Sequence, residues 1–92
     1  MRRIAWSRQA IRDMASIGRH IAADSPANAG KLLDQILAKI IPLATYPKIG
    51  RIGGKPGTRE LVVHTHYLVI YRVLPDSITI LRIKHVARKW PV

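Results

Sequence analysis

Apolar residues along this chain follow three spacings in turn. At the start, Ile4 and Trp6 lie two apart, the period of one strand face. From Arg8 to about Ala23 the period lengthens. Ile11, Met14, Gly18, Ile21 and Ala22 recur at helical spacing, with Arg8, Arg12, Arg19 and His20 on the polar side. Ser7 stands where a helix N-cap belongs. Asp24-Ser25-Pro26 interrupts the pattern and restarts it, with Ser25 as a second cap and Pro26 at the first helical position. Ala29, Leu32, Leu33, Ile36, Leu37, Ile40 and Ile41 then form a wide apolar stripe, while Lys31, Asp34, Gln35 and Lys39 face water. Pro42 lacks the N–H for residue 38, so the last turn is expected to kink or tighten. Two helices joined by so short a link must run antiparallel.

Residues 49–58 are rich in Gly, Pro and cations and read as a flexible basic loop. Three strand-like runs follow, Arg59–His64, Tyr67–Leu74 and Ser77–Lys84, joined by turns short enough to require an antiparallel meander. The predicted fold is α+β, in the order β-α-α-β-β-β. It has an N-terminal strand, an antiparallel helical hairpin and a three-stranded antiparallel meander, in a single domain over residues 1–92. Strict alternation puts Tyr67, Val69, Tyr71 and Val73 on one face of the middle strand. Leu68, Ile70 and Arg72 then take the other face, together with Ile80, Arg82 and Lys84 of the last strand. No third layer remains to cover this mixed apolar and cationic face, so a partner is expected on it.

Charge sharpens that expectation. Sixteen Lys and Arg stand against five Asp and Glu, a formal net charge of +11 on 92 residues. So strong a field suits nucleic acid or an acidic protein. Ten of the cations are Arg, whose planar fork matches phosphate and carboxylate. Cysteine is absent, which removes disulfides, thiolate ligands and a thiol nucleophile. No apolar run reaches membrane-spanning length and no secretory signal precedes the first helix, so the chain reads as cytosolic, with no membrane partner.

Familiar catalytic patterns do not fit. The loop Gly50-Arg51-Ile52-Gly53-Gly54-Lys55-Pro56 has Ile49 where a phosphate loop needs Gly, and Pro56 where it needs Ser or Thr. His64, His66 and His85 are too few, without a further ligand, to predict a metal site, and no cofactor is expected. Five scattered acids supply no paired carboxylates. Cleavage of RNA through its own 2′-OH would need a base, an acid and clustered cations, for which Lys55, Arg59, Arg72, Arg82, His85 and Arg88 are the material. The same residues equally make a binding surface on which no bond is broken.

Taken in order, the motifs resemble the RelE/ParE superfamily of bacterial toxins from type II toxin–antitoxin modules. The likeness spans the chain, from Trp6-Ser7…Ala10…Asp13…Ile17 and Ser25-Pro26-x-x-Ala29 through Leu43…Pro47…Gly50-Arg51 and Gly57-Thr58-Arg59-Glu60-Leu61-Val62-Val63. It continues in Tyr67-Leu68-Val69-Ile70-Tyr71-Arg72-Val73, Ile78-x-Ile80-Leu81-Arg82-Ile83 and His85-x-x-Arg88-x-Trp90-Pro91. RelE-like members cut mRNA in the ribosome, whereas ParE-like members poison DNA gyrase. The nuclease branch carries a catalytic Arg just after the leading Tyr of the middle meander strand, and this chain has Leu68 there. The Arg-Glu-Leu-Val-Val and His-x-x-Arg-x-Trp-Pro pieces look more like ParE.

The resemblance therefore implies a gyrase-binding toxin silenced by an acidic antitoxin, touching operator DNA only through that antitoxin. It leans away from an enzyme. The alternatives are a ribosome-dependent mRNA endonuclease and a non-toxic co-repressor. His85, Arg88, Lys89 and Trp90 are the expected target contacts, and Leu68, Ile70, Arg72, Ile80 and Arg82 the expected antitoxin contacts. If the chain were a nuclease, Arg59, Arg82, His85 and Arg88 would be its catalytic set.

Overall fold

The computed structural model describes residues 1–86, and Arg88, Lys89 and Trp90 lie outside them. Strand β1 (Arg3–Trp6) leads into α1 (Arg8–Asp24) and α2 (Pro26–Ile40), followed by a 3-10 turn at Ile41–Ala44. Strands β2 (Arg51–Ile52), β3 (Thr58–His64), β4 (Tyr67–Val73) and β5 (Ser77–His85) complete one five-stranded sheet in the order β1-β5-β4-β3-β2. The meander β3-β4-β5 is antiparallel as expected, and β1 joins its far edge parallel to β5, with Ile4 opposite Ile78 and Trp6 opposite Ile80.

Both helix starts follow from their caps. Ser7 Oγ accepts from Ala10 N–H at 3.0 Å, and Ser25 Oγ accepts from Asn28 N–H at 3.4 Å with Pro26 behind it. The buried stripe of α1 differs from the expected one by a rotation of the helix. Ala10 and Ile17 are buried, with Met14 and Ile21 packed beside them, whereas Ile11 is 56% exposed. The cause is how the helix begins. Ser7 donates its N–H to Ile80 O at 2.9 Å and its hydroxyl to Leu81 O at 2.8 Å, holding the first turn against β5. Only a small side chain fits beneath so close a backbone, and Ala10 is completely buried there. Pro42 opens a tight 3-10 turn that buries Leu43 and Ala44.

The core lies between the helical hairpin and one face of the sheet. Ile36, Ile40, Leu43, Val69, Tyr71, Ile78 and Ile80 are its fully buried large side chains. Tyr71 also fastens the segment after the helices. Its hydroxyl donates to Pro47 O at 2.7 Å and accepts from Gly50 N–H at 2.9 Å. Burial pushes the phenol above its ordinary value, against the opposing effects of the Gly50 bond and the nearby Arg59 charge. A Cβ at residue 50 would stand 2.6 Å from that hydroxyl and 2.7 Å from Glu60 O, so the chain can pass here only as glycine.

Residues 49–58, expected as a flexible loop, contain a short hairpin. Arg51 and Ile52 pair with Glu60 and Arg59, and Gly53 N–H donates to Thr58 O at 2.8 Å. Thr58 donates both its hydroxyl, at 2.6 Å, and its N–H, at 3.2 Å, to Lys55 O. Gly57 closes the turn at φ +77°, a conformation that costs glycine little.

Candidate functional site

The sheet face turned away from the helices carries the mixed surface that the alternation of residues predicts, with one exchange. Tyr71 pairs with Ile80 and Ile70 pairs with Arg82, so Leu81 is an extra residue in β5, a β-bulge. The bulge reverses the alternation at that point. Ile80, expected among the antitoxin contacts, is completely buried in the core, and Leu81 takes its place on the open side. Ile83 returns to the core beyond it.

The remaining open-face residues fall in register. Glu60, Ile70 and Arg82 form one row across β3, β4 and β5, and Thr58, Arg72 and Thr79 form another. Leu68, also half-buried, pairs with Val62 and Lys84. A groove of about 420 Å³ runs over this face, floored by Ile70 and Leu81 and bordered by Lys55, Arg72, Arg82 and Lys84. Lys55 reaches the groove because the β2-β3 hairpin folds toward it. Leu81 is not among the expected contacts, and Lys55 is expected only in the cation set and not among the antitoxin contacts. The Gly- and Pro-rich composition of residues 49–58 predicts a loop rather than a hairpin, and single-sequence periodicity carries no sign of the bulge.

The four cations are held differently. Arg82 is committed to α1. Its Nε donates to Asp13 Oδ2 at 2.8 Å, and its Nη2 donates to Oδ1 at 3.3 Å. Asp13 also accepts from Ile83 N–H at 2.9 Å, taking up a donor on β5 just past the point where β1 ends. Burial alone would raise the Asp13 carboxyl. The bonds from Arg82, Ile83 and Gln9, with the Arg82 charge, outweigh it and hold the group below its ordinary value. Lys84 is lowered, first by burial and then by the charges of Arg82 and Lys55, with Asp13 opposing. The groove therefore crowds positive charge around an apolar floor.

Of the residues expected to act together in a nuclease, the described ones, Arg59, Arg82 and His85, are engaged at separate places. Arg59 shares the helix-side row with Tyr71, and its guanidinium donates to Gly50 O at 2.8 Å and Lys48 O at 3.4 Å. Arg82 is engaged by Asp13. His85 sits at the end of the sheet, its ring edge-on to Tyr67 at 5.0 Å and stacked on His66 at 5.5 Å. His64 joins this cluster at 6.0 Å from both His66 and Tyr67. Among the described residues no group of three is arranged to hold a metal ion. Arg88, the last of the set, lies outside the described residues, as do the target contacts Lys89 and Trp90.

The sequence profile described as ParE toxin of type II toxin-antitoxin system, parDE, matches residues 4–90. The chain belongs to this ParE toxin family. Its relatives carry both branch names. Y4kP of Sinorhizobium fredii is 36% identical over 91 residues, covering 98% of this chain and 94% of that protein. Toxin RelE2 of Caulobacter vibrioides is 33% identical over 88 residues, covering 96% and 99%. Among solved structures, a chain of the chromosomal ParDE system from P. aeruginosa superposes with a TM-score of 0.83 at 30% identity, covering 94% of this chain and 97% of that one. The YoeB dimer of Staphylococcus aureus, at 14% identity and a TM-score of 0.65, shares the fold. This ParE family member is thus a type II toxin whose strand, helical hairpin and antiparallel meander are the RelE/ParE-like fold. Among its described residues, no helix is long and apolar enough to cross a membrane.

Proposed function

We propose that this ParE family toxin arrests growth in the cytoplasm by binding a protein target, DNA gyrase, without breaking a bond itself. The observation that carries this reading is the separate engagement of Arg59, Arg82 and His85, the described members of the set expected of a nuclease. Arg59 ties down a loop, Arg82 is paired with Asp13, and the open-face position after Tyr67 is Leu68. A developing phosphate charge requires donors already aimed at one point. The target contacts are assigned to His85, the last residue of β5, and to Arg88, Lys89 and Trp90 after it in the sequence.

An acidic antitoxin silences the toxin by covering the open face, as the charge of the groove and the likeness to a chain of a ParDE system support. Operator DNA is reached only through that antitoxin. Purified toxin should trap gyrase on cleaved DNA and leave mRNA on translating ribosomes intact. Codon-specific cleavage, lost on Arg82→Ala or His85→Ala, would overturn the reading in favour of an endonuclease. That second reading draws on the relatives named RelE and on the cationic groove. Growth unaffected by expression would instead leave a co-repressor.

Truncation after Val86 retains β5 and the bond from Val86 N–H to His66 O at 2.7 Å. The shortened toxin should fold and bind antitoxin yet no longer arrest growth. Arrest at the full-length level would remove the C-terminal residues from the target contacts.

A further inference from the structure

The outward face of α1 carries charge of one sign. At about 100° per residue, Arg8, Arg12 and Arg19 fall within about 40° of one another. They lie on the side of the helix opposite the buried Ala10 and Ile17, and all three are exposed. Ala15, in the same row, is exposed and small. Ile11 and Gly18 share the flank turned to α2, where a Cβ on Gly18 would stand 3.3 Å from Leu33 Cδ1. No acid stands three or four residues from any of the three arginines. Among the described residues, none of them makes an ion pair or a side-chain hydrogen bond. The helix gains no stability from this arrangement. Arg8 stands at the end of α1 where the helix dipole disfavours a cation, and Arg8 and Arg12 are a like-charged pair one turn apart. The matching row of α2, opposite Ala29, Leu32 and Ile36, is Ala27, Lys31, Asp34 and Ala38, with one charge of each sign. Such a mixture would serve solubility on α1 equally well.

Resting on the gyrase reading for the identity of the polyanion, we infer that the outward face of α1 docks on the phosphate backbone of duplex DNA. At about 1.5 Å per residue, Arg8 to Arg19 spans about 16 Å. One strand of B-DNA presents about five phosphates over that length. The three guanidinium groups, each a planar fork of donors matched to phosphate oxygens, engage about three of them. An acidic protein fits this face less well. A protein interface is anchored by large apolar or aromatic side chains at a desolvated centre, and this row holds none. Contacts to phosphate need only charge and hydrogen-bond donors, and they carry no sequence information. The choice of operator therefore still belongs to the antitoxin. The duplex that α1 meets is the one on which gyrase acts, and the contact adds to those assigned to the C-terminal residues.

The test is binding of purified toxin to a duplex DNA of arbitrary sequence at several salt concentrations. Arg8→Gln, Arg12→Gln and Arg19→Gln together should weaken binding about tenfold or more at about 100 mM salt, and should flatten the slope of log K against log salt by about 2.7, the share of three phosphates. A control removes the same charge from α2 and the groove: Lys39→Gln, Lys55→Gln and Arg72→Gln together should change that slope by less than about 1. Lysine at all three α1 positions should keep most of the slope, because the charge is retained. Arg8→Glu alone should raise Tm while lowering affinity for DNA, an opposition that a structural role would not produce. Equal losses for the two triple variants would overturn the inference, as would a wild-type toxin that fails to bind the duplex at about 50 mM salt. Tighter binding to duplex RNA than to duplex DNA, lost in the α1 variant, would assign the face to RNA and overturn it too. The gyrase reading fails separately. A wild-type toxin that bound DNA through α1 yet trapped no gyrase would remove that target and leave the DNA contact standing.

Discussion

Ile70 and Ile80 are the same residue type on neighbouring strands of one sheet, and they have opposite fates. Ile80 is completely buried beneath the helical hairpin, and Ile70 is half-exposed among cations on the far side. Hydrophobicity alone does not decide burial in this chain. The layer that covers a face decides it, and a single extra residue in β5 chooses the face. The covered side supplies stability, with Val69, Tyr71, Ile78 and Ile80 all at zero exposure. The open side keeps an apolar floor and crowded charge, an arrangement that is useful only when something binds.

The largest expected effects break this comparison at the bulge itself. Ile80→Ala should destabilise the toxin by about 2–5 kcal/mol in chemical denaturation, because the cavity opens inside a packed core. Leu81→Ala and Ile70→Ala should each cost at most about 1 kcal/mol, since both side chains already meet solvent. A strand without the bulge would reverse the order of Ile80 and Leu81.

Glycine sharpens the contrast. Gly50→Ala pushes a Cβ against the buried Tyr71 hydroxyl and the Glu60 carbonyl, and should cost about 1–3 kcal/mol. Gly54, on the groove side, has nothing within 4 Å of the corresponding position. Gly54→Ala should therefore fall within about 0.5 kcal/mol of wild type. Tyr71→Phe is next in size. It leaves Gly50 N–H and Pro47 O without their partner inside the protein, a loss of about 1–2 kcal/mol. Its open-face neighbour Arg72 can become Ala with little change in Tm.

These residues also show what a single sequence could and could not reveal. The caps at Ser7 and Ser25, the hairpin of helices and the three meander strands were legible because each rests on local chemistry and period. The bulge was not, because Ile78, Ile80, Leu81 and Ile83 are all apolar and an alternating pattern reads equally well either way. The parallel pairing of β1 with β5 joins residues more than seventy apart, beyond any local signal. The stripe of α1 was misplaced by its apolar bulk: Ile11 looked like core, but the close approach of the first turn to β5 admits only Ala10. At the site, Ile70 and Arg72 stand on the open face as the alternation implied. Arg82 does so with its charge already answered by Asp13, a pairing across 69 residues that composition could not disclose.

That pairing gives the most selective effect. Asp13 is held below its ordinary value although burial pushes the other way, so the hydrogen bonds and charge around it favour the carboxylate in the folded state. A carboxyl with a lowered folded value contributes stability above its unfolded pKa, about 3.9, and loses it as pH falls through the folded value. Asp13→Asn removes that contribution without emptying the space. At pH 7 the variant should be less stable by about 1–2 kcal/mol, discounted for the partial exposure of Arg82. As the pH drops from about 4 toward 2, wild type should approach the variant and the gap in Tm should narrow. Arg82→Gln should follow the same course, because it removes the donor that keeps Asp13 ionised. A gap that stayed constant to pH 2 would mean that Asp13 serves β5 through the Ile83 bond alone, with its charge irrelevant to the fold.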